Sequence, residues 1–128
     1  MEKYQEAISA YDQAIQINET FWEAWLLKGI LLSQIGNFNP ASNSFKKVIK
    51  AKTNSTAQLS ALNGIGFVLQ QLKRDKEALY IYNKALKIKP NDQASLINRE
   101  QLMRKLVQSK VFPIGLNFRR PILLGSIS

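Results

Sequence analysis

The chain has no cysteine and no histidine among its 128 residues. The first absence excludes disulfides and thiol chemistry. The second removes the commonest metal ligand and general base, and with it any Ser-His-Asp or Cys-His catalytic arrangement. Also missing is an apolar run near the ~18 residues that a bilayer span needs. Residues 1–20 carry acids among polar groups and do not read as a signal peptide. The acidic pairs Glu2-Glu6, Asp75-Glu77 and Asp92-Glu100 have no metal-ligand company and read as helix caps or solvated groups. Gly64-Ile65-Gly66 lacks the remaining spacing of a dinucleotide fingerprint and falls inside an expected helix, not at a strand-to-helix turn. The expectation is therefore a protein with no catalytic residue, no metal and no cofactor, not an enzyme, and of cytoplasmic location.

Hydrophobic residues make up 45% of the chain, ordinary for one globular domain. The charge is unevenly placed. Residues 1–45 carry a net −3, with Lys3 and Lys28 against Glu2, Glu6, Asp12, Glu19 and Glu23, so the remainder of a chain of net +9 carries +12. Lys46, Lys47, Lys50 and Lys52 form one cluster, Lys84, Lys87 and Lys89 another, followed by Arg104, Lys105, Lys110, Arg119 and Arg120. Such a half attracts acidic partners, nucleic acid or an anionic surface, or simply solvates a helix face. No aromatic-interleaved nucleic-acid motif accompanies it.

What is present is repetition. Trp25-Leu26-Leu27-Lys28-Gly29 aligns with Leu62-Asn63-Gly64-Ile65-Gly66, and twelve residues past Gly29 and Gly66 stand Ala41 and Ala78. Four further on stand Phe45 and Tyr82. The second-half pattern also opens the chain: Ala7, Tyr11 and Ala14 precede Ala41, Phe45 and Val48 by 34 residues each. The step from Ala41 to Ala78 is 37 residues, so three have been inserted, and the polar stretch Thr53–Gln58 reads as the loop that holds them. A fixed period of this size means stacked helical units, none able to bury its apolar face alone. Gly29 and Gly66, with Ala41 and Ala78 opposite, would let helices approach closely, while Trp25, Phe38, Phe45 and Tyr82 fill the adjoining space.

These residues resemble the tetratricopeptide repeat (TPR) family, whose unit of ~34 residues carries Trp-x2-Leu-Gly-x2-Tyr on its first helix, then Ala-x3-Phe and a closing Pro. Trp25, Gly29, Leu32, Ala41, Phe45 and Val48 supply one unit, and Leu62, Ile65, Gly66, Leu69, Ala78, Tyr82, Ala85 and Pro90 the next. Lys28, Leu32, Leu69 and Thr53 depart from the pattern. The resemblance covers about Met1 to Lys110 and implies an all-α fold, a right-handed solenoid of antiparallel helix pairs. It divides residues 1–110 into a half repeat over 1–20, full repeats over 21–55 and 59–92, and a capping helix over 93–109.

Helices are expected at about 2–17, 21–35, 40–51, 57–73, 76–89 and 93–109. Asn39 with Pro40, Asp75, and Asn91 or Asp92 are the expected starts of the later ones. Glu100 stands one repeat beyond Gly66 and would obstruct a close partner helix, so the array ends there. Asn98, Arg99, Arg104, Lys105 and Gln108 give the polar surface of a cap. The first helix lacks its sequence-local partner, so an edge containing Tyr4, Ile8 and Tyr11 is expected to be exposed, open to self-association or to a preceding segment. Residues 111–128 break the helical pattern with Pro113, Gly115, Pro121 and Gly125. Docking on the array, binding a partner, and being a non-native end all remain open for this irregular tail.

The resemblance also implies a concave groove lined by the first helix of each unit. Helical spacing puts Glu23, Leu26, Ile30, Ser33 and Gln34 on that side, then Ser60, Asn63, Phe67, Gln70 and Gln71, then Ala94, Ile97, Gln101, Arg104 and Lys105. The candidate peptide-binding residues are Leu26, Ile30, Asn63, Phe67, Gln70, Ile97, Gln101 and Arg104. Some family members hold a peptide's C-terminal carboxylate with Lys, Asn and Arg. Leu26 and Ile30 occupy matching places and cannot donate hydrogen bonds, so an extended or helical segment with apolar anchors fits better. The expected function is a protein–protein interaction scaffold. The alternative is a basic scaffold that binds nucleic acid or an anionic surface through its C-terminal half.

Overall fold

The computed structural model describes residues 2–111 as six helices, α1 (Glu2–Ile17), α2 (Trp22–Gln34), α3 (Phe38–Lys50), α4 (Ser55–Gln71), α5 (Asp75–Ile88) and α6 (Gln93–Val111). No strand occurs among the described residues. Loops of a few residues force consecutive helices antiparallel. Beyond its sequence neighbours α2 touches α4, and α4 touches α6, whereas α1, α3 and α5 do not touch one another. The array therefore has two layers, an inner one of α2, α4 and α6 and an outer one of α1, α3 and α5. Inner helices in contact and outer helices held apart curve the stack toward the inner side. The all-α repeat architecture expected from the sequence is the one found.

The core lies between the layers. Ala41, Phe45 and Val48 on α3, and Ala78, Tyr82 and Ala85 on α5, are buried. A Cβ placed on Gly29 would stand 2.8 Å from Phe45 Cε1, and one on Gly64 would stand 2.5 Å from Phe45 Cζ. One ring thus fills two glycine notches, one in the preceding inner helix and one in the following. Tyr82 fills the notch of Gly66, where a Cβ would stand 2.6 Å from the ring's Cζ. Its hydroxyl donates to Gln70 Oε1 at 2.6 Å, and burial, then the nearby Asp75 carboxylate, pushes its pKa up to about 12.

The two inner-to-outer turns are built alike. Asn37 N–H donates to Leu32 O, and Arg74 N–H to Leu69 O, each at 2.8 Å. The left-handed residue this closure needs is Gly36 in the first turn (φ 83°) and Lys73 in the second (φ 63°). The three inserted residues do not lengthen a loop. Helix α4 starts eleven residues before Gly66, while α2 starts seven before Gly29, a difference of about one turn. Asn54 makes this possible, because its side chain accepts from Ala57 N–H at 2.9 Å. Gln58 then donates to Val48 O and Ile49 O, both at 3.3 Å, tying the extra turn to the end of α3.

Several expected starts shift. Helix α3 begins at Phe38 after Asn37, which leaves Pro40 in the first turn, where its missing N–H is harmless. Asp75 is the first residue of α5 and not its cap. Asp92 does cap α6, accepting from Ser95 N–H at 3.0 Å. Helix α6 reaches Val111, two residues past the expected end, and the rest of the expected tail, residues 112–128, lies outside the described residues. On α1, Ile8 is buried with the core, contrary to the exposed edge expected of it, because it faces α2. Tyr4 is exposed and Tyr11 half-buried, and Asp12 pairs with Lys28 of α2 at 2.6 Å.

Two predictions follow from this packing. In Gly66→Leu the new side chain must displace the Tyr82 ring, a penalty of ~1–3 kcal/mol or more against less than ~1 kcal/mol of helix propensity gained. A thermal melt is expected to fall by several degrees, and an unchanged melt would contradict the notch. Lys73→Gly should act in the opposite direction. Relief of the left-handed backbone gives roughly 1 kcal/mol, and the freer unfolded glycine returns about half of it. Urea unfolding is expected to show a small stabilisation, and a loss would mean that the lysine side chain matters more than its backbone.

Candidate functional site

The inner layer carries the expected groove residues in register rows. Leu26, Asn63 and Ile97 form one row, Ile30, Phe67 and Gln101 a second, and Ser33, Gln70 and Arg104 a third, each step being 37 and then 34 residues. Ile30, Phe67 and Ile97 are 39%, 44% and 50% exposed. Leu26 is half-buried and packs against the core. Its neighbour Leu27, which the sequence reading left out, is 43% exposed. Glu23, Leu27, Ile30 and Gln34 fit helical spacing as well as the chosen set does.

The polar members differ from one another. Asn63 is committed within the protein: its Nδ2 donates to Leu59 O and to Ser95 Oγ, each at 2.9 Å, and its Oδ1 accepts from Asn98 Nδ2 at 2.9 Å. Ser95 is buried, and its hydroxyl donates onward to Asp92 Oδ2 at 2.6 Å. The chain Asp92–Ser95–Asn63–Asn98 therefore joins α6 to α4 by hydrogen bonds where the earlier units use a ring in a notch. The Ser95 hydroxyl bond is the largest influence on the Asp92 carboxyl; burial, the next, opposes it, but with the Ser95 backbone N–H, the Lys89 charge and the Asn63 amide the carboxyl is held below the usual carboxylate range. Gln70 accepts from Tyr82, which leaves its amide N–H groups to other partners. Gln101 is exposed.

The two cations of α6 near the groove already face carboxylates. Arg104 lies 3.5 Å from Glu100, and Lys105 lies 3.2 Å from Asp75. The groove is thus apolar at its middle, lined by amides, and close to neutral at its α6 end. It offers contact surface and hydrogen bonds. Among the described residues no group of three acidic side chains stands together to hold a metal ion, and no helix is long and apolar enough to cross a membrane.

Two family models described as tetratricopeptide repeat match the chain, one over residues 1–65 and one over residues 59–92. A TPR repeat-containing protein of Methanocaldococcus jannaschii is 30% identical over 86 residues, which make up 66% of this chain and 14% of that protein. The chain thus spans a small part of that relative's length. The Arabidopsis OM64 TPR domain has the same fold, with a TM-score of 0.71 at 18% identity, over 80% of this chain and 83% of that one.

The polar chain under α6 makes a prediction of its own. Asp92 has its pKa lowered by folding, so its contribution is complete above the unfolded value near ~4 and is lost as pH falls through the lower folded value. Ser95→Ala removes its hydroxyl donor and the acceptor of Asn63. The Asp92 titration followed by carboxyl NMR is expected to move up toward ordinary aspartate, with a loss of ~1–2 kcal/mol at neutral pH. An unmoved titration would break the assigned link.

Proposed function

The chain belongs to the tetratricopeptide repeat family, and on that premise we propose that it is a non-enzymatic, cytoplasmic scaffold that holds a segment of a protein partner in the groove of its inner helices. One observation carries the reading: Leu27, Ile30, Phe67 and Ile97 are exposed apolar side chains, and all lie on the helices of the inner layer. Leu26 supports this strip from below. Gln70, Gln101 and the flanking Gln71 supply amides for a peptide backbone, and Arg104 marks the polar end. Asn63 acts chiefly by setting where α6 stands. Clamping of a terminal carboxylate is disfavoured, since Leu26 and Ile30 cannot donate hydrogen bonds. Apolar anchors of an extended or helical segment fit the strip. The half repeat α1, with Tyr4 exposed and Tyr11 half-buried, gives a second copy a place to associate.

Phe67 is the expected anchor, because large aromatic side chains near the centre of a contact carry ~2 kcal/mol or more on truncation. Phe67→Ala should weaken a partner isolated with the intact chain by about thirtyfold and leave the far-ultraviolet circular dichroism unchanged. Equal binding by the variant and the wild type would place the partner elsewhere.

A further inference from the structure

The outer face differs from the inner in both charge and shape. Lys46, Lys47 and Lys50 on α3, and Lys76, Lys84 and Lys87 on α5, are exposed. The ion pairs found among the described residues use Lys28, Arg74, Arg104 and Lys105, so none of these six has a carboxylate partner there. The two acids of α5 are taken: Asp75 by Lys105 of α6, and Glu77 by Arg74 at 2.6 Å. Helices α3 and α5 thus each carry three exposed lysines that no carboxylate among the described residues neutralises.

The backbones of these two helices stay apart, with no Cα of one within 8 Å of a Cα of the other. Between them lies a recess of about 580 Å³, with Leu69, Leu72 and Ile81 among the residues that line it. Lys46 stands on its α3 side, Lys76 and Tyr80 on its α5 side, and Tyr80 is 63% exposed. The recess follows from the curvature itself, since spreading the outer helices uncovers part of α4 between them.

We infer that this outer recess is a second docking site, for an acidic segment of a protein partner that inserts one apolar side chain over Leu69, Leu72 and Ile81 and sets carboxylates against Lys46 and Lys76. Charge complementarity selects an acidic occupant, because unpaired cations flank the opening on both helices. The apolar lining selects a protein over a nucleic acid, because phosphates would use the lysines alone and leave Leu69, Leu72 and Ile81 without a partner. With the inner groove engaged separately, the chain would join two partners on opposite faces.

The test uses three fluorescein-labelled probes, read by anisotropy at about 0.05 M and 0.5 M salt. One is a short peptide of Asp and Glu with a single central Phe, the second has Ser in place of that Phe, and the third is a thymidine oligonucleotide of similar charge. The Phe peptide is expected to bind best, roughly fivefold tighter than the Ser peptide, and to keep part of that margin at high salt, where ion contacts are screened. Lys46→Glu with Lys76→Glu should weaken it at least tenfold and leave the melting curve unchanged, while Phe67→Ala leaves it as in wild type. Backbone amide shifts should centre on Ser42, Lys46 and Ile81. Equal binding of the two peptides, or tighter binding of the oligonucleotide, would overturn the proposal in favour of a plain anionic surface. Loss of binding in Phe67→Ala would overturn it by assigning the probe to the inner groove. No measurable binding of the Phe peptide at low salt would overturn it outright.

Discussion

The array depends on a flat ring held between two helices that have no side chain where the ring lies. Phe45 meets Gly29 of α2 on one side and Gly64 of α4 on the other. The first contact closes a unit and the second joins that unit to the next. A single buried ring, 1% exposed, thus makes two repeats one body. Neither helix pair buries enough apolar surface to stand alone, and close packing with matched notches supplies what is missing. Tyr82 repeats the first contact with Gly66. Glu100 lies one step further on, and α6 is fastened by the hydrogen-bonded chain through Ser95 and Asn63.

That fastening sets the character of the inner surface. Because the polar chain consumes Asn63, the groove keeps its apolar middle at Ile30, Phe67 and Ile97 and has less free hydrogen-bonding capacity than its composition implies. Because Arg104 and Lys105 face Glu100 and Asp75, its end is nearly neutral. Among the described residues, six lysines without a carboxylate partner lie on the outer helices α3 and α5. The same curvature that brings the inner helices into contact opens the outer ones, so a single geometric cause produces an apolar inner strip and a basic outer recess.

The repeat was legible because its signal is doubled. Gly29 and Gly66, Ala41 and Ala78, and Phe45 and Tyr82 recur in step, and helices, layers and core follow from that recurrence. Gly64 was readable as a packing glycine, but not its partner, since Phe45 reaches it across the unit boundary. Local polarity misled at Thr53–Gln58, where one capping side chain, Asn54, turns a loop-like stretch into a helical turn. Ile8 is expected on an open edge because α1 lacks its sequence-local partner, but a shift of about a third of a turn decides which residue meets α2, and Ile8 is the one buried. The same shift leaves Leu26 half-buried and Leu27 exposed. Ion pairs such as Lys105–Asp75 join residues 30 apart in sequence and leave no mark in it.

The most direct test of this account is a double-mutant cycle on Phe45→Leu and Gly64→Ala, measured by urea unfolding. If the ring occupies the Gly64 notch, Gly64→Ala destabilises the wild type but loses most of that effect once leucine has vacated the notch, giving a coupling of ~1–2 kcal/mol. If Gly64→Ala has the same effect in both backgrounds, the ring does not join the two units, and the account of what holds the array together is wrong.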